Sequence, residues 1–141
     1  MTNPLLIEPY RESDEAQVIA LWEIVFPNNQ SGHNDPRTSI RRKLALQREL
    51  FFVARIGETV VGTTMAGYDG HRGWIYSVAV HPIFRRQGIG REMLAHAEKA
   101  LKSLDCPKIN LQVFVTNCDV VAFYESCGYV VEERISMGKR I

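Results

Sequence analysis

Cysteine is scarce in this chain, and its placement argues against both of its structural uses. Cys106, Cys118 and Cys127 are odd in number and widely spaced, with no C-x-x-C pair, so they form neither a disulfide framework nor a zinc site and read as free thiols. His33, His81 and His96 lack ligand spacing as well, and no bound metal is expected. No apolar run approaches the roughly 18 to 20 residues of a membrane span. The opening stretch MTNPLLIEPYRESDEAQ has no basic segment leading into an apolar one, as a secretory leader would. A cytoplasmic chain with no membrane partner is the expectation. Neither sign of charge dominates: 17 Lys and Arg against 16 Asp and Glu leave +1, without the basic excess of a nucleic-acid binder. Any basic site must be local. Low-complexity segments, repeats of roughly 20 to 50 residues and long Gly/Ser/Pro linkers are absent too, so one domain over 1–141 is expected.

What is present is an ordinary globular composition, 45% apolar over 141 residues, enough to bury about two-thirds of the surface that the unfolded chain exposes. Intrinsic disorder is excluded. Residues 5–10 read as a strand, and Ser13 or Asp14 as the cap of a helix whose stripe runs through Ala16, Ile19, Ala20, Trp22 and Phe26, widened by Val18, Leu21 and Val25. Asp35-Pro36 starts a second helix to about Glu49, with Asp35 as cap and Arg37, Arg41, Arg42 and Lys43 as its solvated face. Residues 51–56 and 59–65 are β-rich and joined by Gly57-Glu58, the spacing of a tight hairpin. Residues 74–80 are the next strand, ended by His81-Pro82. A helix over 89–104 follows, with Met93, Leu94, Ala97, Ala100, Leu101 and Leu104 on one face. Then come a strand over 108–115, a short helix over 120–126 closed by Gly128, and a last strand or hairpin over 129–140. The order predicts an α/β fold: a mixed, largely antiparallel central sheet flanked by helices on both faces.

Chemistry concentrates where the strand Val78-Ala79-Val80 runs through His81-Pro82-Ile83-Phe84 into Arg85-Arg86-Gln87-Gly88-Ile89-Gly90-Arg91 and straight into a helix. Gly88 and Gly90 allow the backbone to approach a ligand, the first amides of the helix point at it, and the helix dipole favours an anion there. Arg85, Arg86 and Arg91 add local positive charge. The bland alternative is a solvated basic turn. A P-loop is excluded, because G-x-x-x-x-G-K-[ST] is absent, and a dinucleotide fingerprint fails where Met93 replaces its third small residue.

With these residues in place, the chain resembles the GCN5-related N-acetyltransferases. Arg85-Arg86-Gln87-Gly88-Ile89-Gly90 is similar to their signature [Q/R]-x-x-G-x-[G/A], and Asn117 with Ala122-Phe123-Tyr124-Glu125-Ser126-Cys127-Gly128-Tyr129 is similar to their second motif. The resemblance covers nearly the whole chain. It implies the acyl-CoA N-acyltransferase fold, acetyl-coenzyme A as cosubstrate, and transfer of an acetyl group to a primary amine within a ternary complex. It further implies that the amides of residues 86–91 bind the pyrophosphate and that Val78, Ala79 and Val80 pair with the pantetheine arm. Asn117 would bind the same arm, and Tyr124 would protonate the leaving thiolate. A phenol with an ordinary pKa near 10 is protonated at neutral pH and suits that role.

The general base is left open. The family's ribosomal-protein alanine acetyltransferases place a Glu where this chain has Gln112, and Gln takes no proton. Asp69 and His71, in the turn 68–73, are the candidates, acting directly or through water; an Asp-Gly turn also has this composition for conformational reasons alone. Asn34-Asp35-Pro36, the turn 68–73 and Ser136-Met137-Gly138-Lys139-Arg140 also resemble the YpeA branch of bacterial acetyltransferases. The competing reading is a non-catalytic acyl-CoA-binding regulatory module. Nucleic acid is not expected as a partner, since no aromatic platform accompanies the arginines. Monomer and homodimer both remain open, as does the acceptor.

Overall fold

Four strands consecutive along the chain and one delivered by a crossover make the sheet. β1 (Leu5–Pro9), β2 (Phe51–Ile56), β3 (Thr59–Tyr68) and β4 (Gly73–Val80) pair antiparallel in that order, and β5 (Ile109–Asn110) joins β4 in parallel. The structure, a computed structural model, describes residues 3–141. Among the described residues four α-helices accompany the strands: α1 (Glu15–Val25), α2 (Pro36–Ala45), α3 (Ile89–Lys102) and α4 (Cys118–Ser126). By its internal contacts the chain divides after Leu111, with the sheet and α1 to α3 in one unit and α4 in the other.

Both faces of the sheet in the first unit are covered, as the pattern predicts. Successive strand residues point to opposite faces. Accordingly Val53 and Val60 enter one core with Val18, Leu21, Trp22 and Ile40, while their neighbours Ala54 and Val61 enter a second with Ile89 and Met93. Fully burying side chains of this size contributes about 1.5 to 3 kcal/mol each. The Gly57-Glu58 hairpin forms, pairing Ile56 with Thr59. Gly62 brings α3 close: a Cβ there would lie 2.8 Å from Met93 Sδ and 2.9 Å from the Ala79 carbonyl oxygen. The antiparallel hairpins and the parallel β4-α3-β5 crossover are the mixed architecture expected.

Several local expectations are corrected. The buried stripe of α1 is Val18, Leu21 and Trp22, with Ala16 and Ala20 exposed, because the larger side chains take the core. Asp14 stands at the start of α1 without capping it by its side chain. Its carboxylate is buried instead, accepting from the Arg11 amide at 2.9 Å and from both terminal nitrogens of Arg55. Burial pushes Asp14 up, but these donors outweigh it and hold the group below the usual carboxylate range. Asp35 does cap α2, accepting from the Thr38 amide at 3.1 Å. Lys43, expected on the solvated face of that helix, is only 6% exposed.

In the second unit α4 ends as expected. Gly128, at φ +96°, donates to Glu125 O at 3.0 Å and Tyr129 donates to Tyr124 O at 3.0 Å, the paired bonds of a Schellman cap. The expected strand over 108–115 shortens to Ile109–Asn110, and the expected strand or hairpin over 129–140 does not form among the described residues. Apolar alternation gives a segment a preference for extended backbone, but a strand exists only through the ladder of a neighbour, and Val130, Val131, Ile135 and Met137 stay exposed without one.

Candidate functional site

The site is built on β4, whose two edges are unlike. One edge follows β3; the other pairs with β5 only at Gly73 and Trp74, so from Ile75 to Val80 it carries no ladder among the described residues. The register to β3 shifts between Thr63 and Met65, which leaves Ser77 and Val78 together opposite Thr64. This is a β-bulge, and Ser77 occupies the left-handed region at φ +52°. Behind it, Thr63 Oγ1 donates to the Ser77 carbonyl at 2.9 Å and accepts from Trp22 Nε1 at 2.8 Å.

Past Val80 the chain turns into the glycine loop. His81 donates its amide to Val61 O at 2.8 Å, its Nδ1 accepts from the Ile83 amide at 3.2 Å, and Arg85 Nε donates back to Val80 O at 3.3 Å. Arg86 and Gly88 both have positive φ, +64° and +78°, and Gly88 is the residue from which α3 starts. No side chain caps that start, so the amides at Ile89 and Gly90 have no intrahelical acceptor and face outward with the positive end of the dipole. Ile89 is buried and anchors the turn, while Arg85, Arg86, Gln87, Gly88 and Arg91 are exposed. A Cβ on Gly88 would meet nothing within 4 Å. The space above the loop is open, and an anion fits there.

Val78, Ala79 and Val80 are followed by the turn over 81–84 and then by residues 85–91. Asp69 and His71 are placed elsewhere. They lie in the turn before β4, and at about 3.3 Å per residue the turn is on the order of 15 Å from Val78 along the strand. The Asp69 carboxylate accepts from the amides of His71 at 2.8 Å and Arg72 at 2.7 Å, bonds that close the turn and hold the group below the usual carboxylate range. In the second unit Asn117 is exposed at the start of α4 with no side-chain cap bond. Tyr124, half-buried, packs edge-on against Phe123 and Tyr129 at centroid distances of 5.3 and 5.8 Å. Burial, and after it the neighbouring Cys127, push its pKa up to about 12. Gln112 Nε2 donates to Ser136 Oγ.

Sequence reasoning missed three contributors. Ser77 has no signal, since bulges leave none in a single strand pattern. Thr63 was hidden within an apolar run, and Lys43 within a run of cations. Lys43 Nζ donates to Ala66 O and lies 5.6 Å from the Tyr76 ring centroid, with no salt bridge among the described residues and only the longer-range attraction of Glu49. Burial lowers its pKa to about 8. The unfolded chain therefore binds the extra proton between about pH 8 and the free value of 10.5, and stability rises with pH across that window. Lys43→Met is expected to raise stability at pH 7 by roughly 1 to 2 kcal/mol. It should also remove the rise between pH 8 and 10.5, as read by denaturant unfolding at each pH.

Comparison with known proteins agrees with this architecture. A family model described as the acetyltransferase (GNAT) family matches residues 16–129. An acetyltransferase of Yersinia enterocolitica serotype O:8 is 40% identical over 138 residues, covering 96% of this chain and 94% of the relative. Among solved structures, the PaiA N-acetyltransferase of Thermoplasma acidophilum in complex with coenzyme A has a TM-score of 0.80 at 18% identity, covering 94% of this chain and 93% of that one. The aminoglycoside N-acetyltransferase AAC(6')-Iy in complex with CoA has a TM-score of 0.79 at 14% identity, covering 99% and 96%. At these identities the two structures speak for the fold.

Proposed function

The chain belongs to the GNAT family of acetyltransferases, and from that premise we propose that it uses acetyl-coenzyme A to acetylate a primary amine by direct transfer in a ternary complex. The acceptor class is a small molecule, an amino acid or a peptide or protein amine. Residues 1–141 act as one catalytic domain, without nucleic acid or a membrane.

One observation carries the reading: a strand edge with no ladder from Ile75 to Val80 among the described residues is followed, after the turn over 81–84, by an uncapped helix start with room above its glycine. That arrangement suits a ligand with a hydrogen-bonding arm at one end and a multiply charged phosphate group at the other. The amides of Val78, Ala79 and Val80 hold the arm, the loop over 85–91 holds the pyrophosphate, and Asn117 binds the arm from its own motif. Bound acetyl-coenzyme A supplies an acetyl group already activated as a thioester. A β4 amide beside the bulge donates to the carbonyl oxygen as charge develops there, and Tyr124 holds a proton for the departing sulfur. The two solved structures named above, both of N-acetyltransferases in complex with coenzyme A, support the same cosubstrate.

Asp69 and His71 are too far along the strand for direct contact with an amine at Val78, so the acceptor's proton is proposed to leave to water. Asp69→Asn keeps the oxygen that closes the turn, and His71→Ala touches no other contact named above. Both are expected to retain wild-type kcat, with rates rising with pH until the free amine predominates. A changed pH profile in either variant would return that residue to the role of base. The reading as a whole is tested by calorimetric titration with acetyl-coenzyme A and a thiol-release assay over amine classes. Binding with release supports it; binding without release for any amine favours a non-catalytic acyl-CoA module; no binding ends both.

A further inference from the structure

The hydroxyl of Thr63 has no freedom in its hydrogen bonding. An indole N–H only donates, so with Trp22 Nε1 at 2.8 Å the Thr63 oxygen must accept from it, and its own proton is left for the Ser77 carbonyl at 2.9 Å. Trp22 is 3% exposed and Thr63 is fully buried, so water does not compete for the bond between them. The direction of the chain Trp22, Thr63, Ser77 is therefore fixed from the core outward.

This order matters because of what lies across the peptide bond. No peptide bond among the described residues is cis, and in a trans unit the carbonyl of one residue and the N–H of the next point in opposite directions. Thr63 belongs to β3, so the bond that draws the Ser77 carbonyl toward β3 sends the Val78 N–H the other way, to the edge of β4 that carries no ladder. Ser77 sits in the left-handed region, which is strained for an L residue, and the hydrogen bond to its carbonyl holds this peptide turned.

We propose that Thr63, oriented by Trp22, is a positioning residue for acetyl transfer: it holds the Ser77–Val78 peptide so that the Val78 N–H points at the carbonyl oxygen of the bound thioester. The inference rests on the acetyl-coenzyme A reading above and deepens it. Neither side chain touches the ligand. Their contribution is preorganisation of a donor, which acts on the carbonyl as charge grows there rather than on binding of the coenzyme A moiety.

The test uses acetyl-coenzyme A labelled with carbon-13 at the thioester carbonyl, bound to the full chain and followed by isotope-edited infrared spectroscopy, with calorimetry and thermal melting in parallel. In the wild type the carbonyl stretch moves to lower frequency on binding. Thr63→Val is expected to lose most of that shift and roughly tenfold in kcat while its affinity for coenzyme A stays within about twofold. Thr63→Ser restores the shift, because it restores the hydroxyl. Trp22→Phe frees that hydroxyl to turn and gives a partial loss. If Thr63→Val fails to fold with the indole N–H stranded, the Trp22→Phe, Thr63→Val double variant relieves that group and takes its place. A full shift in the valine variants, or a loss that serine does not rescue, overturns the proposal. A wild type that binds the ligand without any shift overturns it while leaving the cosubstrate reading intact, whereas a wild type that does not bind removes both.

Discussion

Gly88→Asp is expected to weaken acetyl-coenzyme A binding by at least about 100-fold with the fold intact. There is room for the side chain, since a Cβ there meets no atom within 4 Å, and the strain of φ +78° is smaller for Asp than for most residues because Asp adopts the left-handed backbone more readily. The damage is electrostatic. A carboxylate about 4 Å from a pyrophosphate at a solvent-facing site costs roughly 4 kcal/mol at an effective dielectric near 20, more than enough for the stated loss. It also cancels the favourable end of the α3 dipole. Gly88→Asn separates the two components, since it carries the same backbone strain and bulk without the charge, and should bind with intermediate affinity. Calorimetry over a range of ionic strength checks this, because the Asp penalty shrinks as salt rises and the Asn penalty does not. Equal affinity in wild type and Gly88→Asp would show that the loop over 85–91 is not the phosphate site.

The second large effect is kinetic. Tyr124→Phe is expected to lower kcat by roughly 100-fold or more while leaving acetyl-coenzyme A affinity unchanged, the signature of a group that acts on the leaving sulfur and not on binding. Because burial holds the phenol proton up to a pKa of about 12, the residue stays protonated across the working range. The sign follows directly: ionisation of Tyr124 removes the acid only as pH rises through about 12, so it contributes no falling limb to the kcat profile below about pH 11. The ascending limb belongs to the acceptor amine alone. Single-turnover rates from pH 6 to 10 read both features, and an unchanged chemical rate in Tyr124→Phe removes the residue from the mechanism.

Much of this molecule is legible in its sequence, and the parts that are not share a physical reason. The Gly57-Glu58 hairpin, the Asp35 cap, the helix start at Gly88 and the αL close of α4 at Gly128 are all set by local backbone chemistry, which a few adjacent residues dictate. The elements that differ from expectation depend on partners far away in the chain. Lys43 reads as a surface cation until α2 lays it against Ala66 and Tyr76. Asp14 reads as a cap until Arg55, on β2, claims its carboxylate. The pattern over 129–140 suits a strand, yet local pattern supplies no neighbour to pair with. The bulge at Ser77 is the clearest case, since Val78-Ala79-Val80 looks the same whether or not one residue is inserted opposite Thr64. The glycine loop is readable because it is local; the chain of hydrogen bonds to the Ser77 carbonyl is not, because Thr63 and Trp22 supply it from two other elements.

An uncovered strand edge is also an invitation to other copies of the same chain, which polymerise by adding strands to such edges. Here the left-handed turn at Ser77 divides the edge into a short stretch at Ile75 and Tyr76 and another over 78–80. A flat incoming peptide strand finds its hydrogen-bond repeat broken after two residues, whereas a flexible arm with only two amides needs no longer repeat than the second stretch offers. The distortion at Ser77 therefore breaks the edge into pieces shorter than a long added strand would need.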